Sequence, residues 1–106
     1  MEHLSPELHA RIEALLAAHP VLLFMKGTAS APMCGFSAKA VAILNHIKVI
    51  YTDINILDDE DLRQGLKLYG DWPTFPQLYV NKELIGGADI MAEMFQSGEM
   101  QTLLSA

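Results

Sequence analysis

The sequence predicts a small α/β sandwich, with a mixed sheet held between helices. Three observations carry that expectation. Apolar residues recur at helical spacing in some segments and run continuously in others, giving the order α-β-α-β-α-β-β-α-α. The first two strand-like runs are separated by a helical stretch, and a crossover of that kind joins parallel strands. The last two are separated by a few polar residues, as in an antiparallel hairpin.

Ser5-Pro6 opens the first helix, with a serine N-cap followed by proline at the first helical position. Leu8, Ile12, Leu15 and Leu16 give it one buried stripe, and His19-Pro20 stops it. Val21 to Met25 is a short continuous apolar run, suited to a strand covered on both faces. Lys26 to Met33 reads as a loop of small residues, and Gly35 to Ile47 as a helix burying Ala40, Val41, Leu44 and Ile47. Val49 to Asp53 reads as the second strand. Asp58 to Asp61 place acids at the start of a third helix, where they complement its dipole. Leu62, Leu66 and Tyr69 form its apolar side, and Gly70 ends it. Leu78 to Val80 and Leu84-Ile85 flank a turn at Asn81-Lys82-Glu83, where asparagine tolerates the left-handed conformation. Gly86-Gly87-Ala88 leads to Asp89, expected to cap a helix that uses Met91, Met94 and Phe95. Gly98 breaks that helix, and Glu99 to Leu104 form a last short one.

At 106 residues the chain is expected to be one domain, 1–106, large enough for a single core without disulfides. It is 51% apolar and 19% charged, a globular composition. A net charge of −6 argues against a nucleic-acid or anionic-membrane partner, both of which need a basic face. The single cysteine fits a reducing compartment. Glu2, Glu7 and Glu13 are unlike a secretory or transit peptide, so the cytoplasm is expected, or an organelle matrix if a targeting segment has been removed.

The lone cysteine is the most informative residue. One thiol per chain excludes an internal disulfide and any metal site built from several cysteines of one protomer. Cys34 lies in Pro32-Met33-Cys34-Gly35-Phe36-Ser37, at a strand-to-helix turn, where a helix N-terminus stabilises a thiolate. A core cysteine would be inert, but this placement favours a reactive one, and Gly35 is expected to keep it open. Ser37 occupies the second position of a Cys-x-x-Cys motif, and a serine cannot resolve a mixed disulfide. The thiolate must therefore borrow partners: a small thiol, a second chain, or both.

Around it, Lys26 follows the first strand, and Arg63 sits in the first turn of the third helix against the dipole preference. Together they offer a carboxylate two cations. Trp72-Pro73-Thr74-Phe75-Pro76 forms a rigid turn before a strand, and composition gives no reason to expect a cis bond there. Gly86-Gly87-Ala88-Asp89 is a strand-to-helix turn whose N–H groups suit an anion, with Asp89 available to an ammonium. Other candidates fail. Asp53-Ile54-Asn55 lacks the glycine and glutamate of a calcium loop, and His3, His9, His19 and His46 lack metal-ligand spacing. Lys26-Gly27-Thr28 lacks the upstream glycine of a phosphate-binding loop.

Met25-Lys26-Gly27-Thr28, Cys34-Gly35-Phe36-Ser37, Trp72-Pro73-Thr74-Phe75-Pro76-Gln77-Leu78 and Gly86-Gly87-Ala88-Asp89 together resemble the monothiol glutaredoxins of the CGFS type, from about Pro20 to Leu104. The resemblance implies a thioredoxin-like (glutaredoxin) fold: a four-stranded mixed sheet flanked by helices, with an extra N-terminal helix. It implies a glutathione site, with Lys26 and Arg63 on the glycine carboxylate and the backbone of Phe75, before a cis Pro76, on the cysteinyl unit. Ala88 and Asp89 would take the γ-glutamyl end. Family members often have a cysteine where this chain has Ala88, so an accessory thiol is missing here.

The same resemblance implies binding and transfer of a 2Fe–2S cluster, with a role in iron homeostasis and Cys34 as the metal ligand. Such a cluster takes four ligands. One thiolate per chain and one glutathione per chain supply them in a homodimer. A BolA-like protein and apo iron–sulfur acceptors are the implied partners. A glutathione-dependent oxidoreductase acting on protein–glutathione mixed disulfides through Cys34 ranks second as an expectation, and a plain adaptor domain third.

Overall fold

A computed structural model describes residues 3–105, and its elements follow from local signals in the chain; Met1 and Glu2, whose reading bore on targeting, lie outside them. Helix α1 (Pro6–Ala18) starts where Ser5 Oγ accepts the Leu8 N–H at 3.1 Å, with Pro6 in its first turn. Strand β1 (Val21–Met25) follows. Its side chains alternate as a pleated strand requires: Leu22 and Phe24 join one apolar cluster, Leu23 and Met25 another. All four are fully buried, so β1 lies inside the sheet.

The segment read as a loop contains a small antiparallel ribbon, β2 (Gly27–Thr28) and β3 (Ala31–Pro32). Helix α2 (Gly35–Ile47) has the expected bounds, and its last turn closes on Lys48 at φ 66°. Strand β4 is Thr52–Asn55, three residues later than expected at its start. The reason is that the chain leaves α2 outward. Ile50 is 93% exposed, and pairing with β1 begins only at Leu22↔Thr52. The pairing is parallel, as the α2 crossover demands.

A turn of 3₁₀ helix, Ile56–Asp58, precedes α3 (Glu60–Tyr69), so Asp58 belongs to that turn and Asp59 is the cap, accepting the Leu62 N–H at 3.1 Å. Gly70 ends α3 at φ −92°, which needs no glycine; what it provides is room, since a Cβ there would stand 2.8 Å from the Tyr79 hydroxyl. Strands β5 (Gln77–Val80) and β6 (Glu83–Gly86) make the hairpin. Its turn is Asn81-Lys82 alone, both at positive φ (50° and 72°), while Glu83 already belongs to β6. That is the two-residue turn whose twist matches paired strands.

Helix α4 (Ala88–Ser97) is capped by Gly87 without a side-chain bond, so Asp89 stands in the first turn and is not the cap. The chain reaches the helix through Gly86 at φ 147°, and the helix starts two residues earlier than a cap at Asp89 allows. Gly98, at φ 86°, separates α4 from α5 (Glu99–Leu104).

The sheet order is β4-β1-β5-β6, mixed, with β5 antiparallel to both neighbours. One face packs on α1 and α3 through Ile12, Leu16, Leu62 and Leu66. The other packs on α2, α4 and α5 through Ala40, Leu44, Met91 and Met100. This three-layer arrangement brings the entrance of α2, the first half of α3, the segment before β5 and the entrance of α4 to one region.

Candidate functional site

Cys34 is itself the N-cap of α2 (φ −155°, ψ 157°), and its Sγ accepts the Ser37 N–H at 3.3 Å. A sulfur here takes the place a serine or aspartate oxygen has at other helix starts. Ser37 is fully buried; its Oγ accepts the backbone N–H of Lys26 at 3.1 Å and lies 3.4 Å from Cys34 Sγ. With Lys26 occupying a lone pair, the hydroxyl proton is available to the sulfur. Partial burial pushes the thiol up, but the Ser37 hydroxyl, the Ser37 and Phe36 N–H groups and the charge of Lys26 together outweigh it. The thiol therefore titrates below its ordinary value. Cys34 is partly exposed. Beyond its chain neighbours, a Cβ added at Gly35 would meet nothing within 4 Å, so the helix start beside the thiol is open. Met33 and Phe36, on either side, are 69% and 61% exposed.

The ribbon before Cys34 is fixed from below by β4. Asn55 Oδ1 accepts the Gly27 N–H at 2.9 Å, and Asp53 Oδ2 accepts the Ala29 N–H at 2.8 Å. The Met33 N–H returns to the Lys26 carbonyl at 2.9 Å. Gly27 is obligatory: at φ 87° a Cβ would fall 2.5 Å from the Ala31 carbonyl oxygen. Asp53 and Asn55, rejected above as a calcium loop, thus hold the segment that delivers Lys26 and Cys34.

Beside the thiol runs a groove of about 540 Å³. Lys26, Arg63, Phe75, Ala88 and Asp89, each singled out from sequence, all line it. Cys34 does not line it directly, but its neighbours Lys26 and Phe36 do. Lys67 also lines the groove and was missed. Its signal was present, because a residue four positions after Arg63 shares its face of the helix.

Arg63 reaches Glu60 at 3.6 Å through one terminal nitrogen, yet its Nε is buried without a partner, as is the indole Nε1 of Trp72. Two orphaned donors in the walls of one groove are what an acceptor-bearing ligand would satisfy. The Phe75–Pro76 bond is cis. Ala88 is buried, and Asp89 is exposed, 3.9 Å from Lys39 Nζ. The lining of the groove therefore carries three cations, Lys26, Arg63 and Lys67, together with the carboxylate of Asp89 and the start of α4.

The chain matches the Glutaredoxin family model over residues 21–85. The chain belongs to the glutaredoxin family. "Monothiol glutaredoxin-4" of Schizosaccharomyces pombe is 52% identical over 101 residues, covering 95% of this chain but 41% of that protein. "Probable monothiol glutaredoxin 2" of Rickettsia conorii is 54% identical over 95 residues, covering 90% of this chain and 89% of that one. The solution structure of reduced poplar apo GrxS14 superposes with a TM-score of 0.83 at 46% identity, over 95% of this chain and 93% of that chain. With Cys34-Gly35-Phe36-Ser37 at the start of α2, this is a monothiol glutaredoxin of the CGFS type. Among the described residues, no three His, Cys, Asp or Glu converge as a metal site, and no helix is long and apolar enough to cross a membrane.

Proposed function

We propose that this glutaredoxin, read as one domain over 1–106, binds glutathione in the groove and, with a second copy, holds and passes on a 2Fe–2S cluster. The observation that carries the reading is the convergence of Lys26, Arg63, Phe75, Ala88 and Asp89 on one groove beside a thiol biased toward thiolate. Lys26 and Arg63, with Lys67 alongside, would take the glycine carboxylate. The Phe75 backbone would pair with the cysteinyl unit. The Ala88 N–H at the helix start would meet the γ-glutamyl carboxylate, and Asp89 its ammonium.

The orphaned Nε of Arg63 and Nε1 of Trp72 support a ligand rich in acceptors. Glutathione would supply the second thiolate of each half-site, which one cysteine per chain cannot. A second protomer would cover the exposed Met33 and Phe36, apolar shoulders that water solvates poorly. Because half the ligands are exchangeable tripeptides, the cluster would be cargo. An apo iron–sulfur protein or a BolA-like partner would approach the same face. The cytoplasm is the compartment proposed.

Anaerobic reconstitution with iron, sulfide and glutathione tests this. A coloured dimer, lost on Cys34→Ser or without glutathione, is the expected result. A colourless monomer under the complete conditions overturns it.

The lowered Cys34 thiol supports a second reading, reduction of protein–glutathione mixed disulfides. The Cys34 thiolate would attack the glutathionyl sulfur and release the protein thiolate. A second glutathione thiolate would then attack the Cys34 mixed disulfide, giving glutathione disulfide and restoring Cys34. Rapid turnover of a glutathionylated protein, with no cluster bound, would select this reading.

A further inference from the structure

Two polar side chains are fully buried among the described residues, Ser37 and Gln77. Ser37 serves the thiol. Gln77 opens β5 immediately after the cis Phe75–Pro76 bond. A buried amide needs partners for both its donors and its acceptor. Gln77 Nε2 donates to the carbonyl of Trp72 at 3.0 Å and to that of Thr74 at 3.3 Å, while Oε1 accepts the Tyr79 hydroxyl at 3.1 Å.

Both carbonyls belong to the Trp72–Pro76 segment, one wall of the groove. The third partner is packed into the core. Tyr79 is 1% exposed, its ring meets Phe24 edge-on at 5.6 Å, and its hydroxyl sits against Gly70, where no Cβ fits. The amide is thus a bracket between the core and the wall. No other side chain of this length does both jobs: an ionised glutamate accepts from Tyr79 but donates nothing, and a methionine does neither.

We infer that Gln77 is a positioning residue of the ligand groove, its amide holding the Trp72–Pro76 wall where the Phe75 backbone meets the bound tripeptide. It acts through the wall and touches no ligand. This deepens the glutathione reading above and rests on it.

The test uses the full chain, the non-reactive probe S-methylglutathione and three readouts: calorimetric affinity, emission of Trp72 (the only tryptophan) and the pH profile of Cys34 alkylation. Gln77→Met is expected to bind about tenfold more weakly, the loss of two modest hydrogen bonds, with Trp72 emission shifted to the red. The alkylation profile stays in place, because Ser37 and Lys26 are untouched. Gln77→Glu is expected to be equally impaired, although it keeps an acceptor for Tyr79. Wild-type affinity and emission in the glutamate variant, or in both, overturn the inference. Should both fail to fold, Tyr79→Phe decides, with about threefold weaker binding and shifted emission expected, and unchanged values overturning it. A wild-type chain that binds no probe removes the glutathione reading and this inference together. Wild-type binding with indifferent variants removes the inference alone.

Discussion

Replacing Ser37 by alanine separates the two tasks that one buried hydroxyl performs. The Oγ accepts the Lys26 N–H at 3.1 Å and sits 3.4 Å from Cys34 Sγ. Its loss leaves a part-buried N–H without an acceptor, at a cost of about 1–3 kcal/mol in stability. It also removes the strongest of the influences that lower the Cys34 thiol, so the pKa of Ser37→Ala must rise. The alanine keeps its own N–H on the sulfur, and Lys26 keeps its charge, so these weaker influences persist. Two assays read the two effects. Urea denaturation at unchanged m gives the stability loss. The rate of iodoacetamide alkylation against pH gives the thiolate, with its midpoint displaced upward and the rate at neutral pH reduced. A folded Ser37→Ala whose midpoint coincides with wild type or lies below it would refute the role assigned to the hydroxyl.

Gly27→Ala puts a Cβ 2.5 Å from the Ala31 carbonyl at a positive φ, and should lose about 1–3 kcal/mol of thermal stability together with glutathione binding. Asp59→Ala removes the α3 cap and its 2.5 Å ion pair with Arg11, a loss of about 1–2 kcal/mol measurable by denaturation. Burial, and then the hydrogen bond to Glu13, push Tyr69 up to about 12. The folded chain therefore holds that proton where the unfolded chain has released it, and stability must fall as pH rises from the ordinary tyrosine value toward 12. Tyr79 is raised as well, by burial first. Burial, and then the charge of Asp53, raise Tyr51 too, so spectrophotometric titration should show all three tyrosines ionising above their ordinary value.

The layers of the fold were legible because local signals and burial agree. Ser5-Pro6 and the Gly35–Ile47 periodicity each point to the element that forms. The second strand was misplaced because Val49-Ile50 is apolar yet follows a helix that ends in the left-handed conformation, and β4 is defined by its register on β1. Only pairing partners carry that information. The cap of α4 was misassigned because Asp89 is a favourable cap by type, whereas the backbone at Gly86–Gly87 starts the helix earlier.

At the site, Lys26, Arg63 and Asp89 stood out by position and charge, the motif resemblance added roles for Phe75 and Ala88, and the three layers bring all five to one groove. Asp53, Asn55 and Gln77 were passed over, since their work is to hold backbone across 24, 28 or 5 residues of sequence, which no local pattern encodes. Lys67 was the avoidable omission.

Native mass spectrometry of the anaerobically reconstituted protein puts the ligand count to the most direct test. The expected species is two chains, two glutathiones and one 2Fe–2S cluster, collapsing to apo monomer in Cys34→Ser. A cluster carried by a single chain, or by two chains without glutathione, would contradict a site in which each protomer lends one sulfur and borrows another.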